Sequence, residues 1–437
     1  MSASAEQYSD DGVCGADEEH AVARAREVDG EFVAGRLATR PGDNCARLAG
    51  HAGRELARST KPTHRNGRVA SAGRRSKLTP AATDARRVLL ERAAKRESVR
   101  ELFAVASERL RRLISFQAAA WVATDPHTGL PAGQAWLENI RADDHTRVWE
   151  FEFLRADINT YRDLVTAEIP AAGLRLATSE RPARSARYRE ILRPNGFEDE
   201  LRAVVRADGS LWASIALLRT AGMPAFDAGK IELVASLSEP LADVVREHVR
   251  ESAPSSAPND GHRAGLMVFA AGGELMSANE EARELLDELE RTEHSLAPGH
   301  LCALPLPAAG ALVRARAIAE EREHGPARVL TRSRAGRWIA CHGSCLRDVD
   351  GRLGSTALLI KPAGPTEIAP VMMTAYELSG REQQITALIA HGHNTASIAH
   401  RLHLSRHTVR DHIKAILAKV DARSRGELVA RLSGGVI

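Results

Sequence analysis

The feature that most constrains the fold of this chain is a series of helix-start signals near its C-terminus. Ser379 and Glu382 have the spacing of a capping box, in which two side chains satisfy the first unpaired amides of a helix. Equivalent start signals recur at Asn394, at Ser405 and at the pair Ser424 and Glu427. The pattern predicts four short helices in close succession.

In the third of these helices, apolar and polar positions fall on opposite faces. At about 100° per residue, one face is apolar: Val409, Ile413, Ile416, Leu417 and Val420. The opposite face carries His407, Arg410, Asp411 and Lys414. A short helix and a tight turn precede this segment, and its outward donors suit base edges in a major groove about 12 Å wide. We therefore predict a helix-turn-helix whose third helix reads DNA bases with these four side chains.

A set of residues spread over 376–433 matches one family of such domains. It comprises Leu378, Ser379, Arg381, Glu382, Gly392, Ile398, Ala399, Leu402, Leu404, Ser405, Thr408, Val409, His412, Ile413, Lys414, Ile416, Lys419, Arg423, Ser424 and Arg425. In these positions the segment resembles the LuxR-type helix-turn-helix family. The resemblance implies an all-α four-helix domain, in which the third helix enters the major groove and the fourth often supports dimerisation.

Carried over by position, the resemblance assigns roles to individual side chains. Arg410, Asp411 and Lys414 fall where members of the family reach bases. Thr408, His412 and Lys419 flank that face and would suit phosphates, and Arg423 joins them.

Upstream of this domain, the chain divides into three further predicted parts. Residues 1–78 have poor apolar periodicity and are expected to be flexible or disordered. Residues 79–252 predict an α+β domain with helices at both ends, strands at 118–124 and 149–153, and a hairpin formed by 201–205 and 211–218. After a Pro/Ser linker at 251–261, residues 262–362 predict a second α+β domain, before the helix-turn-helix domain at 374–437.

The order of elements in these two domains resembles known sensor folds. Residues 118–249 resemble a GAF domain. The second domain has a strand pair, helices that begin with one capped by Asn279, and then three strands, and it resembles a PAS domain. Both resemblances imply domains that sense a ligand or contact a partner.

Composition limits where function can lie. The net charge is only +3 over 437 residues, so nucleic-acid binding is expected to be local to one segment. No apolar stretch is long enough for a membrane span, and the polar, acidic N-terminus does not resemble a secretory signal. Five scattered cysteines argue against a disulfide framework. These features predict a cytoplasmic protein.

Several other residues admit a second interpretation. Cys341, His342 and Cys345 could bind metal or take part in redox chemistry, but on a strand the two cysteines point away from the histidine, so packing is favoured. The histidines of the helix-turn-helix region are also not expected to bind a metal ion. The tryptophans Trp121, Trp212 and Trp338 are expected to anchor sheet cores, with pocket lining as the alternative.

The rival functions are a sigma-factor-like protein and an enzyme carrying a DNA-targeting domain. Low aromatic content disfavours the first, and no nucleophile elbow, triad or phosphate loop supports the second. Neither a receiver domain nor a nucleotide-binding G-x-x-x-x-G-K-[ST] motif is found. We expect a non-enzymatic transcription regulator without a cofactor. Its expected partners are double-stranded DNA, a second copy of the chain, RNA polymerase and a small-molecule ligand in an upstream domain.

Overall fold

The computed structural model describes residues 80–93, 98–141, 144–251, 264–289 and 304–433. The predicted flexible region 1–78 and nearly all of the linker 251–261 lie outside these residues. Within the described part of the chain, no helix is long and apolar enough to cross a membrane.

The first α+β region is built on a five-stranded antiparallel sheet. Its helices are α1 (Pro80–Ala93), α2 (Val99–Arg111), α3 (Asp144–Phe153), α4 (Tyr161–Thr166), α5 (Leu174–Ala177), α6 (Ala228–Ala235) and α7 (Ser238–Glu251). Its strands are β1 (Ala118–Thr124), β2 (Pro131–Glu138), β3 (Ala171–Gly173), β4 (Phe197–Ala207) and β5 (Ser210–Thr220), in the order β2-β1-β5-β4-β3. One sheet face packs on α2 and α7 through residues such as Trp121, Trp212 and Leu241.

The second α+β region repeats the same strand order in its own sheet. It contains β6 (Gly265–Phe269), β7 (Leu275–Ala278), α8 (Glu280–Glu288), α9 (Leu306–Ala319), β8 (Arg328–Arg332), β9 (Trp338–Arg347) and β10 (Leu353–Pro362). The order across the sheet is β7-β6-β10-β9-β8. Asn279 caps α8 by accepting from the Ala282 amide, as predicted. The predicted sequence of a strand pair, helices and three strands is confirmed.

Helix α9 packs against both regions. A side chain at Gly310 would lie 2.7 Å from Pro131 Cδ, and one at Gly343 would lie 2.2 Å from the Ala311 carbonyl oxygen. These glycines permit close contact of α9 with β2 on one side and β9 on the other. Apolar residues of both regions, for example Phe153 and Leu312, therefore share one core.

The C-terminal region is helical throughout. Its helices are α10 (Pro365–Ala375), α11 (Gly380–Ala390), α12 (Thr395–Leu402), α13 (Arg406–Val420) and α14 (Arg425–Leu432). Their core is continuous with Trp338 and Ala340 of β9, because α10 bridges the two. The chain thus has two α+β regions, each with an antiparallel sheet, followed by an all-α region, and this order of regions is as predicted.

Three expectations about local structure are corrected. The run 149–153 is the end of helix α3 and not a strand. Its alternating pattern also places Trp149 and Phe153 four residues apart, on one helix face, where their rings stack with centroids 6.1 Å apart. The helix expected at each end of the 79–252 domain is divided into two helices, α1 and α2 at its start and α6 and α7 at its end. Strand β2 was not predicted.

Candidate nucleic-acid interface

The predicted caps fix the ends of the C-terminal helices. Ser379 Oγ accepts from the Glu382 amide at 3.4 Å, and the Glu382 carboxylate accepts from the Ser379 amide at 2.7 Å, which confirms the capping box. Asn394 and Ser405 cap α12 and α13 in the predicted way. Between them, His403 adopts the left-handed conformation, with φ 53°, and so turns the chain tightly from α12 into α13.

The fourth cap is only half of a capping box. Ser424 Oγ accepts from the Glu427 amide at 3.1 Å. The Glu427 carboxylate accepts from the amide of Arg423, at 2.8 Å, instead of that of Ser424. Arg425 then links α14 to α12, since its Nη2 donates to Thr395 Oγ1 at 2.7 Å.

Helix α13 divides into faces as the sequence predicted. Val409, Ile413, Ile416 and Val420 are buried in the core against α11 and α12. The four predicted base-contacting residues are all exposed on the other face: His407, Arg410, Asp411 and Lys414. Within this face, His407 Nδ1 lies 2.9 Å from Asp411 Oδ2, one turn along the helix. Arg410 and Lys414 lie one turn apart on this face, and both are exposed to solvent.

The predicted phosphate-contacting residues occupy different environments. Thr408 is half-buried, and its hydroxyl lies 2.9 Å from Ser405 Oγ at the cap of α13. His412 is half-buried and Arg423 is exposed.

Lys419 is held by protein groups. Its Nζ donates to Glu382 Oε2 at 2.7 Å and to the Glu377 carbonyl oxygen at 3.0 Å. Burial by itself would raise the pKa of Glu382, but the bonds from Lys419 and Ser379 lower that pKa below its usual value. Lys419 thus joins α13 to the start of α11, a role that the sequence did not indicate.

The Cys341, His342 and Cys345 cluster is dispersed by strand geometry. Cys341 is buried in the core, and burial raises the pKa of its thiol to about 12. The His342 ring lies on the other side of β9, with Nε2 2.9 Å from Glu367 Oε1 of α10. Among the described residues, no group of three or more His, Cys, Asp or Glu side chains is arranged to hold a metal ion.

One buried cluster was missed by the sequence analysis. Arg187, Arg202, Glu152, Asp157 and Glu200 are all almost fully buried beside a cavity in the first α+β region. Glu200 and Arg202 are two residues apart on β4 and therefore lie on the same face of the sheet. In the sequence, charged residues at this spacing indicate a solvent-exposed face, and only covering helices make that face buried.

The geometry of α11 to α14 defines a class of DNA-binding domain. Two short helices joined by a tight turn, the second presenting exposed donors and the first bracing it, form a helix-turn-helix.

Comparison with known proteins identifies the class of this domain more closely. Residues 376–432 match the family described as bacterial regulatory proteins, luxR family. This segment is therefore a luxR-family helix-turn-helix domain. A comparison with curated proteins gives no match.

Solved structures of low similarity also match the chain. A VqmA dimer of Vibrio cholerae, solved without target DNA and described as a LuxR-type receptor, is 21% identical, with a TM-score of 0.18, over 38% of this chain and 80% of that one. Escherichia coli SdiA is 13% identical, with a TM-score of 0.31, over 81% of this chain and 99% of that one. A bacteriophytochrome of R. palustris is 13% identical, with a TM-score of 0.27, over 65% of each chain. These TM-scores are too low to establish a shared architecture.

Proposed function

We propose that the protein is a transcription regulator that binds double-stranded DNA sequence-specifically through α13. The observation that carries the proposal is the exposed pair Arg410 and Lys414 on a helix whose opposite face is buried, within a luxR-family domain. Either side chain can donate to O6 and N7 of a guanine in the major groove. Asp411 keeps one carboxylate oxygen free of His407 and can accept from a cytosine amino group.

The remaining contacts are assigned to the DNA backbone. Thr408, His412 and Arg423 flank the base-reading face and would meet phosphates. Lys419 was predicted to do the same, but its bonds to Glu382 and Glu377 compete with a phosphate contact. We propose that it braces the domain instead.

The upstream regions would supply the regulatory input. Their assignment as GAF-like and PAS-like sensors, and the boundaries at 79–252 and 262–362, remain proposals supported by two sheets of identical strand order. Action as a homodimer, contact with RNA polymerase, a cytoplasmic location and the lack of enzymatic activity are further parts of the proposal.

The test is selection of DNA from a random pool by the full chain, followed by binding of variants to the enriched sequence. We expect one enriched motif. Replacing Arg410 by Ala should cost roughly 1–3 kcal/mol on that motif and little on scrambled DNA. An equal loss on both DNAs would mean that Arg410 does not read bases, and a selection that enriches nothing would contradict the proposal.

A further inference from the structure

A cavity of about 110 Å³ lies at the junction of the two α+β regions and α10. Its wall is mostly apolar and includes Ala132 of β2, Val249 of α7, Trp338 of β9 and Val371 of α10. A cavity of about 150 Å³ is enough to admit benzene. This one therefore has room for a smaller molecule, of about four or five heavy atoms.

Arg332 forms part of this wall and is a cation without a counter-ion. It is half-buried, and its Cζ lies 4.2 Å from the ring centroid of Trp338, its neighbour across the pair of β8 and β9. Burial lowers the pKa of the guanidinium to about 10, and no carboxylate in the described part of the chain offsets that effect. The Trp338 ring attracts the cation but carries no net charge. Charges withdrawn from water are normally paired, so a partner is missing here.

One nitrogen of this guanidinium is left for a ligand. Nε is sealed in the packed interior. Nη1 donates to the Gly336 carbonyl oxygen at 3.0 Å. Nη2 has no hydrogen-bond partner among the described residues and, unlike Nε, is not sealed. An acceptor in the cavity that Arg332 lines can therefore reach Nη2.

The other polar groups of the wall narrow the class of acceptor. Asp125 already accepts from the amides of His127 and Leu330, at 2.9 and 3.0 Å. It leaves the pKa of Arg332 unraised, so it is not the missing counter-ion. Gln134, half-buried on β2, makes no hydrogen bond within the described chain, so its amide can donate to a second oxygen of a ligand. A carboxylate has two oxygens and an apolar remainder, which match two donors and an apolar wall, whereas phosphate has more oxygens than these donors satisfy.

We propose that this cavity binds a short-chain carboxylate of about four or five heavy atoms, with one oxygen on Arg332 Nη2 and the other on the Gln134 amide. As the class of signal that the regulator would sense, this ligand rests on the proposed function. The cavity touches both α+β regions and α10, and α10 leads directly into the helix-turn-helix. The ligand supplies the counter-ion of Arg332 at the place where these parts meet.

The test compares propionate with propionamide, an uncharged molecule of the same size and shape, and with phosphate. Ligand-observed NMR on the full chain gives the dissociation constants, with the ionic strength held constant by chloride. We expect propionate to bind roughly tenfold more tightly than either other probe, the difference made by a hydrogen bond between charged groups. Equal binding of propionate and propionamide would overturn the role of Arg332, and a preference for phosphate would overturn the carboxylate class.

Two arginines of the same hairpin form a matched pair. Arg332→Met removes the donors, keeps an apolar side chain beside Trp338 and should abolish the preference for propionate. Arg337 is also half-buried, but it pairs with Glu288 and does not line the cavity. Arg337→Met removes the same charge and should retain the preference. Loss of the preference in both variants, or in neither, would overturn the inference.

A third variant keeps the test decisive if Arg332→Met does not fold. Ala132 lines the cavity from β2, so Ala132→Leu fills it without changing any charge, and it should weaken binding of both propionate and propionamide. Unchanged binding would place the probes elsewhere and overturn the site. Binding of the selected DNA is measured in parallel. Failure of the wild type to bind propionate while it still binds this DNA would refute this inference alone, whereas loss of specific DNA binding would refute the proposed function.

Discussion

Replacing Lys419 by Met tests whether this side chain braces the domain or anchors DNA. The substitution leaves the Glu382 carboxylate, whose side chain is 7% exposed, without the ammonium that lies 2.7 Å away. It also removes the bond to the Glu377 carbonyl oxygen. Two hydrogen bonds from a charged donor would stabilise a dry site more strongly than a solvated one. Lys419 is 40% exposed, so water screens its interaction with Glu382. We expect a loss of local stability of about 1–2 kcal/mol.

Native-state hydrogen exchange on the full chain provides the assay. The slowest amides of α11 and α13 should exchange roughly 5- to 30-fold faster in Lys419→Met. Lys414, also on α13, is exposed and provides the matched control. Lys414→Met should leave exchange unchanged and weaken DNA binding.

The opposite pattern would refute the structural role of Lys419. If Lys419→Met leaves exchange unchanged but lowers the salt dependence of DNA binding by about one phosphate contact, the lysine anchors DNA as its position in the sequence suggested.

Two further predictions concern the same domain. Because the pKa of Glu382 is lowered in the folded chain, its contribution to stability is present above its unfolded pKa of about 4.3 and is lost as the pH falls through the folded value. The stability difference between the wild type and Glu382→Gln, measured by exchange, should therefore shrink from pH 5 to pH 3, roughly, and a growing difference would reverse the assigned sign. Gly380→Pro should stabilise α11 by about 0.4–1 kcal/mol, because Gly380 is the first helical residue, Ser379 before it is extended, and nothing lies within 4 Å of an added Cβ. Faster exchange of α11 amides in that variant would show that the site does not accept proline.

The helix-turn-helix could be predicted in detail because its signals are local. Ser379, Asn394 and Ser405 cap helices through bonds that span three residues, and the two faces of α13 follow from helical periodicity alone. The Glu427 carboxylate accepts from the amide one residue before the predicted one. This difference depends on the geometry of the loop, which residue spacing does not encode.

The features that were missed depend on tertiary contacts. The run 149–153 satisfies both a strand and a helix pattern, and its packing on the cavity and on α9 decides in favour of the helix. Lys419 meets Glu382 across 37 residues, and Arg202 meets Glu152 across 50. Neither partner can be read from periodicity, because each is set by how separate elements pack.

The central claim is that α13 reads bases in the major groove, and methylation interference on the selected DNA tests it most directly. Methylation of guanine N7 modifies the major groove, and methylation of adenine N3 modifies the minor groove. We predict that N7 methylation at particular guanines blocks binding of the wild type, and that Arg410→Ala loses sensitivity at one of them. Interference confined to adenine N3, or an unchanged pattern for Arg410→Ala, would contradict the claim.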